Sequence, residues 1–247
     1  MMEPRPFRFG IVATEVSGAT EWAQTAREAE DSGFAALLLP ELPPPVPAPL
    51  PALAFAAAVT STLELGTWVL ANDFRNPVTV AREAATLDLL TGGRFRVGIG
   101  AGQLGDGYPA LGITAGSGAA RVERLAESVR IINTLFRGGS VHAAGGHYSS
   151  AGARLLPPPE RKILLLIAAG GRRATELAAT FLAISTTADG TWSANCSARQ
   201  RFSTMVAGKV RAIGAQERGE GFVRHRPQRS RWHFRGLPRM CRAARVG

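Results

Sequence analysis

Asn76-Pro-Val-Thr-Val-Ala-Arg-Glu-Ala-Ala-Thr-Leu-Asp-Leu-Leu-Thr-Gly-Gly-Arg-Phe-Arg-Val-Gly-Ile-Gly-Ala-Gly102 reads as a helix, a tight turn, a buried strand and a glycine-lined strand end. Asn76 is placed to cap the helix, and Pro77 suits a first turn whose N–H groups need no helical partner. Gly92 or Gly93 can take the left-handed angles that end it. Phe95 to Ile99 then forms a core strand. Gly98, Gly100 and Gly102 leave its carboxyl end bare of side chains, so a flat ligand would be able to approach the backbone there. Strand carboxyl ends are where α/β barrels place their chemistry.

Working outward, strand and helix alternate without hairpins. Phe7 to Ala13 is a strand candidate, followed by a helix from Glu21 to Ser32 whose Trp22, Ala26, Ala29 and Gly33 share one face, with Thr20 as its cap. Phe34 to Leu39 is a second buried strand. The segment Pro40 to Pro51 carries seven prolines and cannot lie inside a sheet. A short helix over Ala52 to Thr60 leads to a strand over Leu63 to Leu70 and then to the helix of residues 77–90. This alternation predicts parallel strands joined by helical crossovers, in a barrel or a doubly wound sheet.

The second half is less regular. Residues 103–118 hold five glycines and a proline with no apolar period and read as a loop. Val122, Leu125, Val129, Ile132 and Phe136 mark an amphipathic helix, and residues 138–158 an excursion from the alternation. Ile163 to Ala168 is a buried strand, Gly170-Gly-Arg-Arg173 opens another helix, Phe181 to Ser185 is a sixth strand, and Ser197 to Ile213 a last helix. From about residue 222 the patterning stops. We therefore expect residues 1–222 to form one barrel-type domain and residues 223–247 an Arg-rich disordered or aberrant tail. Acid-free, arginine-rich text is what a GC-rich gene yields out of frame, so truncation or a frameshift is the expectation there.

The net charge of +10 belongs to that tail: residues 1–222 hold 21 Lys+Arg against 19 Asp+Glu, which leaves +2, and residues 223–247 hold 8 Arg and no acid. No repeated spacing accompanies those arginines, so nucleic acid is not the expected partner. The longest apolar run, Ala52 to Val59, is far short of the roughly 18 residues of a membrane span, and the amino terminus has no signal-peptide core. A cytoplasmic protein is expected. Cys196 and Cys241 form no disulfide framework and have no zinc-ligand spacing, so no metal is expected.

Two strand ends carry candidate chemistry. Gly100-Ala-Gly-Gln-Leu-Gly105 satisfies G-x-G-x-x-G, yet it follows the fourth strand and runs into Asp106-Gly-Tyr-Pro109 instead of opening a helix on the first βα turn, which argues against a dinucleotide fold. Ile167-Ala-Ala-Gly-Gly-Arg-Arg173 joins a strand end to a helix start and would offer free amides and a helix dipole to an anion. A flat ring at one strand end and a phosphate at the other follow from these two.

Thr86-Leu-Asp-Leu-Leu-Thr-Gly-Gly-Arg94 followed by Val97-Gly-Ile-Gly-Ala-Gly102, with Leu65-Gly-Thr-Trp-Val-Leu70, Asn72-Asp-Phe-Arg-Asn-Pro77 and Gly146-His-Tyr148, resembles the luciferase-like monooxygenase family. Within it the pattern is most similar to the actinobacterial branch that uses the 5-deazaflavin coenzyme F420. The resemblance covers roughly residues 5–180 and implies a (β/α)8 TIM-barrel-type fold, here with about six of eight βα units. It places Ala101, Gly102 and Gln103 beside the ring, and Trp68-Val69 as a bulge behind it, where relatives hold a non-proline cis peptide. Ala168, Ala169, Gly170 and Gly171 would hold the phosphate. Glu41-Leu42 stands where relatives often carry Asp-His, and Gln103 where some sugar-phosphate dehydrogenases have Glu, so Glu41 and Gln103 are the candidate catalytic residues and both depart from the pattern.

The resulting reading is an F420-dependent oxidoreductase that passes a hydride between the cofactor and a small organic substrate. An FMN-dependent monooxygenase is the alternative, and a non-catalytic remnant the reading of another class. The partner is a small molecule, and open sheet edges also admit a homo-oligomer.

Overall fold

The computed structural model of the chain describes residues 8–42, 47–102, 107–114, 116–143, 146–169, 172–180, 185–186, 192–193 and 204–207. The first half alternates as expected: β1 (Arg8–Val12), α1 (Ala19–Asp31), β2 (Ala36–Leu39), α2 (Pro49–Ala58), β3 (Glu64–Thr67), β4 (Leu70–Ala71), α3 (Pro77–Leu90) and β5 (Phe95–Gly100). A one-turn 3-10 helix, Asn72–Phe74, joins β4 to α3. Then come α4 (Gly107–Ala110), α5 (Gly118–Phe136), the hairpin β6 (Val141–Ala143) and β7 (Ser150–Ala153), β8 (Leu165–Ala168), α6 (Arg172–Thr180), β9 (Ser185–Thr186), β10 (Trp192–Ser193) and β11 (Thr204–Ala207).

Local chemistry explains the boundaries. Asn76 caps α3, its side chain accepting from the Val78 N–H at 2.9 Å, and Gly92 leaves that helix at φ 63°. Ser117 caps α5 in the same way through the Ala120 N–H. Helix α1 starts earlier than expected, after Gly18, so Thr20 lies inside it and is not its cap. Pro49 and Pro51 sit in the first turn of α2, where a missing N–H costs no helical bond, which shortens the expected proline segment. Part of the expected loop after Gly102 winds into α4, which buries Tyr108. Of the expected helix from Ser197 to Ile213, the described residues, Thr204–Ala207, form instead a strand, β11, which pairs parallel with β1 through Arg8↔Thr204 to Ile11↔Ala207, and the remainder lies outside the described residues.

All ladders of the main sheet are parallel, in the order β11-β1-β2-β3-β5, with β4 and β8 both paired to β5. Every crossover within the first half is helical, so the strands share one direction and their carboxyl ends open on one side. Among the described residues no ladder joins β8 to β11, so the sheet is an open half-barrel; β9 pairs antiparallel with β10 instead. Gly170, Gly171, Gln103 and the whole of 208–247 lie outside the described residues, and with them the expectations made for the tail.

Leu37, Leu65, Phe95, Val97, Ile99 and Ile167 of the strands pack against Leu53, Val80, Ala84, Leu125, Ile132 and Leu135 of the helices in one core. These are the apolar positions at period 3.6 on the helices and the continuous runs expected of parallel strands. Truncation of Phe95 to alanine in this core would cost about 3–5 kcal/mol.

Candidate functional site

The strand Leu63 to Leu70 read from sequence is broken at its end, and the break builds the site. Leu65 and Gly66 pair with Phe95 and Arg96, while Leu70 and Ala71 pair with Ile99 and Gly100. Thr67, Trp68 and Val69 therefore face only Val97 and Gly98, one residue too many, which is a β-bulge. Its Trp68–Val69 peptide is cis. The buried Thr67 hydroxyl replaces the lost ladder bonds, accepting from the Gly98 N–H and donating to the Gly98 carbonyl, both at 2.8 Å.

The bulge also accounts for two of the glycines. A Cβ on Gly98 would run into the Thr67 carbonyl and lie 2.8 Å from Val69 Cγ1; one on Gly100 would lie 3.0 Å from Val69 Cγ2 and 3.1 Å from Ala168 Cβ. At Gly98 the cleared space is filled by the chain itself, where the sequence suggested a ligand, and at Gly100 a side chain would crowd its two neighbours. Gly102 differs again: at φ 80° its missing Cβ would occupy the place of the Tyr108 hydroxyl.

Val69, Gly100 and Ala168 thus stand side by side at the carboxyl ends of three neighbouring strands, next in the chain to Trp68, Ala101, Gly102 and Ala169, the last of them fully buried in the core. Of the sequence-identified set, the structure brings these together. Only hydrogens and methyl groups project from Gly100, Ala101, Gly102, Ala168 and Ala169. A flat ring is the kind of group such a low wall fits.

Glu41 is at the end of β2 but engaged. Its Oε2 accepts from the Ala71 N–H at 2.9 Å, and its Oε1 from Arg75 Nε at 2.8 Å and Arg75 Nη2 at 2.6 Å. Arg75 also pairs with Glu83 on α3. Burial alone would lower the Arg75 pKa, but the hydrogen bonds and charge of Glu41, then Glu83, raise it. Glu41 is therefore an ion-paired anchor for the turn after β4, neither a solvated loop carboxylate nor a free one.

A second polar cluster, given no role in the sequence reading, closes the mouth beside Gly102. Arg124 Nη1 donates to Asp73 Oδ1 at 2.8 Å and the Tyr108 hydroxyl to Asp73 Oδ2 at 3.1 Å; the Asp73 side chain is 1% exposed. Arg121 Nη1 donates to the carbonyl of Gly102 at 2.9 Å and, more weakly, to that of Ala101. Phe74 and Tyr108 meet edge to face at 5.1 Å. Burial, then the charge of Asp73 and its hydrogen bond, raise the Tyr108 pKa above 10, with Arg121 opposing. Across the mouth Asn72 Nδ2 donates to the Tyr148 hydroxyl at 3.1 Å, leaving Asn72 Oδ1 buried without a partner among the described residues. Tyr148 is held in turn by Glu127, whose carboxylate accepts from the His147 and Tyr148 N–H groups. The His147 N–H thus bonds out of the excursion, to α5, and not within it.

The signal for this cluster was in the chain: Asn72-Asp-Phe-Arg75 and Gly146-His-Tyr148 were recognisable as motifs. Their roles were not, because Asp73, Tyr108 and Arg124 are up to 51 residues apart. Asp88 and Arg94 serve structural ends separately: Asp88 pairs with Arg161, and Arg94 donates to the carbonyls of Ala57 and Thr60 at the end of α2.

The sequence profile described as luciferase-like monooxygenase matches residues 6–214. An F420-dependent glucose-6-phosphate dehydrogenase of Nakamurella multipartita is 34% identical over 156 residues, 60% of this chain and 46% of that protein. The 4-hydroxyprotoasukamycin monooxygenase of Streptomyces nodosus subsp. asukaensis is 36% identical over 111 residues, 45% of this chain and 27% of that one. The chain therefore matches less than half the length of each. An F420-dependent secondary alcohol dehydrogenase solved with an F420–acetone adduct superposes with a TM-score of 0.67 at 22% identity, over 74% of this chain and 58% of the other, which is a likeness of fold.

Proposed function

We propose that this chain, which belongs to the luciferase-like monooxygenase family, is a deazaflavin-dependent oxidoreductase that passes a hydride between coenzyme F420 and a small organic substrate. The observation that carries this reading is the low wall at the strand ends, where Val69, Gly100 and Ala168 lie side by side behind a β-bulge. The relatedness to an F420-dependent dehydrogenase supports the choice of cofactor.

In this reading Trp68 and Val69 back the ring, Ala101 and Gly102 flank it with Gln103 beyond, and Ala168 and Ala169 lead to the Gly170 and Gly171 amides that would take a phosphate. A bound deazaflavin supplies the hydride chemistry; the chain supplies position and exclusion of water. Glu41 contributes by anchoring Ala71 and Arg75, since both its oxygens are already engaged. A cytoplasmic location belongs to the same reading, because a diffusible cofactor and substrate have to reach the mouth from solution.

Titration of the purified chain with F420 and with FMN, followed by fluorescence, tests it. Saturable binding of F420 and not FMN is expected. Binding of FMN alone would replace this reading with a flavin monooxygenase, which the match to a monooxygenase favours as the second choice. Binding of neither would leave the non-catalytic remnant, in keeping with the half-barrel open between β8 and β11 among the described residues.

A further inference from the structure

Asp73 lies where three separate pieces of chain meet. It belongs to the 3-10 turn after β4, its two oxygens take hydrogen bonds from Tyr108 on α4 and Arg124 on α5, and its side chain is almost wholly buried. Tyr108 touches the wall directly, and Arg124 reaches it through Arg121 on the same helix. The Tyr108 hydroxyl occupies the volume that a Cβ on Gly102 would need, so it stands directly behind the Gly102 backbone. Arg121, one helical turn before Arg124, holds the Ala101 and Gly102 carbonyls from the same side. In a trans peptide the N–H points opposite to the C=O. Carbonyls drawn toward Arg121 therefore leave the intervening amide N–H directed away from α5.

We propose that Asp73 is the positioning residue of this mouth: acting through Tyr108 and Arg124, it fixes the Ala101–Gly102 backbone as the wall on which the cofactor ring rests. The inference rests on the functional reading above. A buried carboxylate that accepts from a guanidinium and a phenol forms charge-assisted bonds of defined geometry, whereas a solvated loop carboxylate would leave Gly102, with its freedom at positive φ, to sample other conformations. Asp73 touches no reacting atom; its effect is transmitted through the tyrosine and the two arginines.

The test uses the full chain and four variants, Asp73→Asn, Tyr108→Phe, their double variant, and Glu30→Gln as a control far from the mouth. F420 affinity is expected to fall about tenfold or more in Asp73→Asn and in Tyr108→Phe, the size of one charge-assisted hydrogen bond. The double variant should bind no more weakly than the weaker single one, because both remove the same support. Glu30→Gln should lower the melting temperature and leave affinity unchanged, which separates positioning from general loss of stability. Wild-type affinity in Asp73→Asn, or losses that multiply in the double variant, would overturn the assignment while leaving the functional reading intact. A wild-type chain that binds neither F420 nor FMN would overturn both. Absorbance at the phenolate band gives a readout independent of any ligand: in a Tyr148→Phe background, which leaves Tyr108 as the only tyrosine of the chain, Asp73→Asn should move the phenol titration down, and an unchanged titration would show that Asp73 does not hold Tyr108.

Discussion

The two ends of the sheet use charged residues in opposite ways. At the amino ends of the strands, side chains tie down backbone. Arg94 donates to the carbonyls of Ala57, Thr60, Leu63 and Thr91, and Glu30 accepts from the N–H groups of Ser61, Thr62 and Leu63. Glu64 takes both Arg8 and Arg96. At the carboxyl ends the charges bind mainly one another, Asp73 with Arg124 and Glu41 with Arg75, and the residues between them are glycine and alanine. The floor is saturated and the mouth is framed but left low. A barrel enzyme divides stability and function along the same axis.

Gly98→Ala would break this division most severely, because Gly98 serves the mouth from inside the sheet. Its Cβ has to displace the Thr67 carbonyl and Val69 together, neither of which is the free end of a flexible side chain. The expected cost is about 3 kcal/mol or more, with loss of soluble protein or a sharply lowered denaturation midpoint. A Gly98→Ala chain as stable as wild type would mean that the bulge is not packed as described.

Arg94→Met keeps the apolar stem and removes the guanidinium. Several carbonyls at the end of α2 and before β3 lose their donor, at a cost of about 2–3 kcal/mol measured by urea denaturation. Arg94→Lys should recover little, since one ammonium cannot span acceptors that the planar fork reaches. Cofactor affinity should not change in either variant. A stability-neutral Arg94→Met that weakened binding would invert the comparison between floor and mouth.

What was legible in the sequence follows from which forces are local. Asn76, Pro77 and Gly92 announce α3 because capping and helix exit act within a few residues, and Phe95 to Ile99 announces β5 by composition alone. The bulge was legible only through resemblance, since nothing in Leu65-Gly-Thr-Trp-Val-Leu70 says that three residues will face two. Gly98 was recognised as special for the wrong reason, because a sequence records that a side chain is missing but not what fills the space. Asp73 was passed over because its partners come from α4 and α5, and β11 because its pairing with β1 spans nearly the whole described chain.

Glu30 offers a pH-dependent test of the floor. Its partial burial pushes the carboxyl up, but hydrogen bonds from the Thr62 and Leu63 N–H groups, the Thr62 hydroxyl and the Ser61 N–H outweigh this and bring the pKa to about 2, from 4.5. A carboxyl with a depressed folded pKa stabilises the fold fully above its unfolded pKa, and the contribution disappears as pH falls through the folded one. Glu30→Gln should therefore cost about 1–2 kcal/mol at pH 7, with the two denaturation curves converging between pH 4.5 and 2. Curves that stay parallel through that range would show that the amides are not held by a carboxylate.

The smallest effect should come from the outer half of the Arg75 bridge. Glu83 and Glu41 both contact the same guanidinium, but the Glu83 side chain is 40% exposed and that of Glu41 8%. Water competes with Arg75 for the first and is excluded from the second, so Glu83→Gln should change stability by no more than about 0.5 kcal/mol, and less in high salt. Glu41→Gln leaves Arg75 half-buried without its nearest charge and weakens the tie to the Ala71 N–H, so it should cost several times more. The ratio of the two losses, read from paired denaturation midpoints at low and high salt, measures how far the mouth is shielded from water. Equal losses would mean that solvent reaches Glu41 as freely as Glu83, and Glu41 would then be an accessible carboxylate able to meet a substrate instead of an anchor.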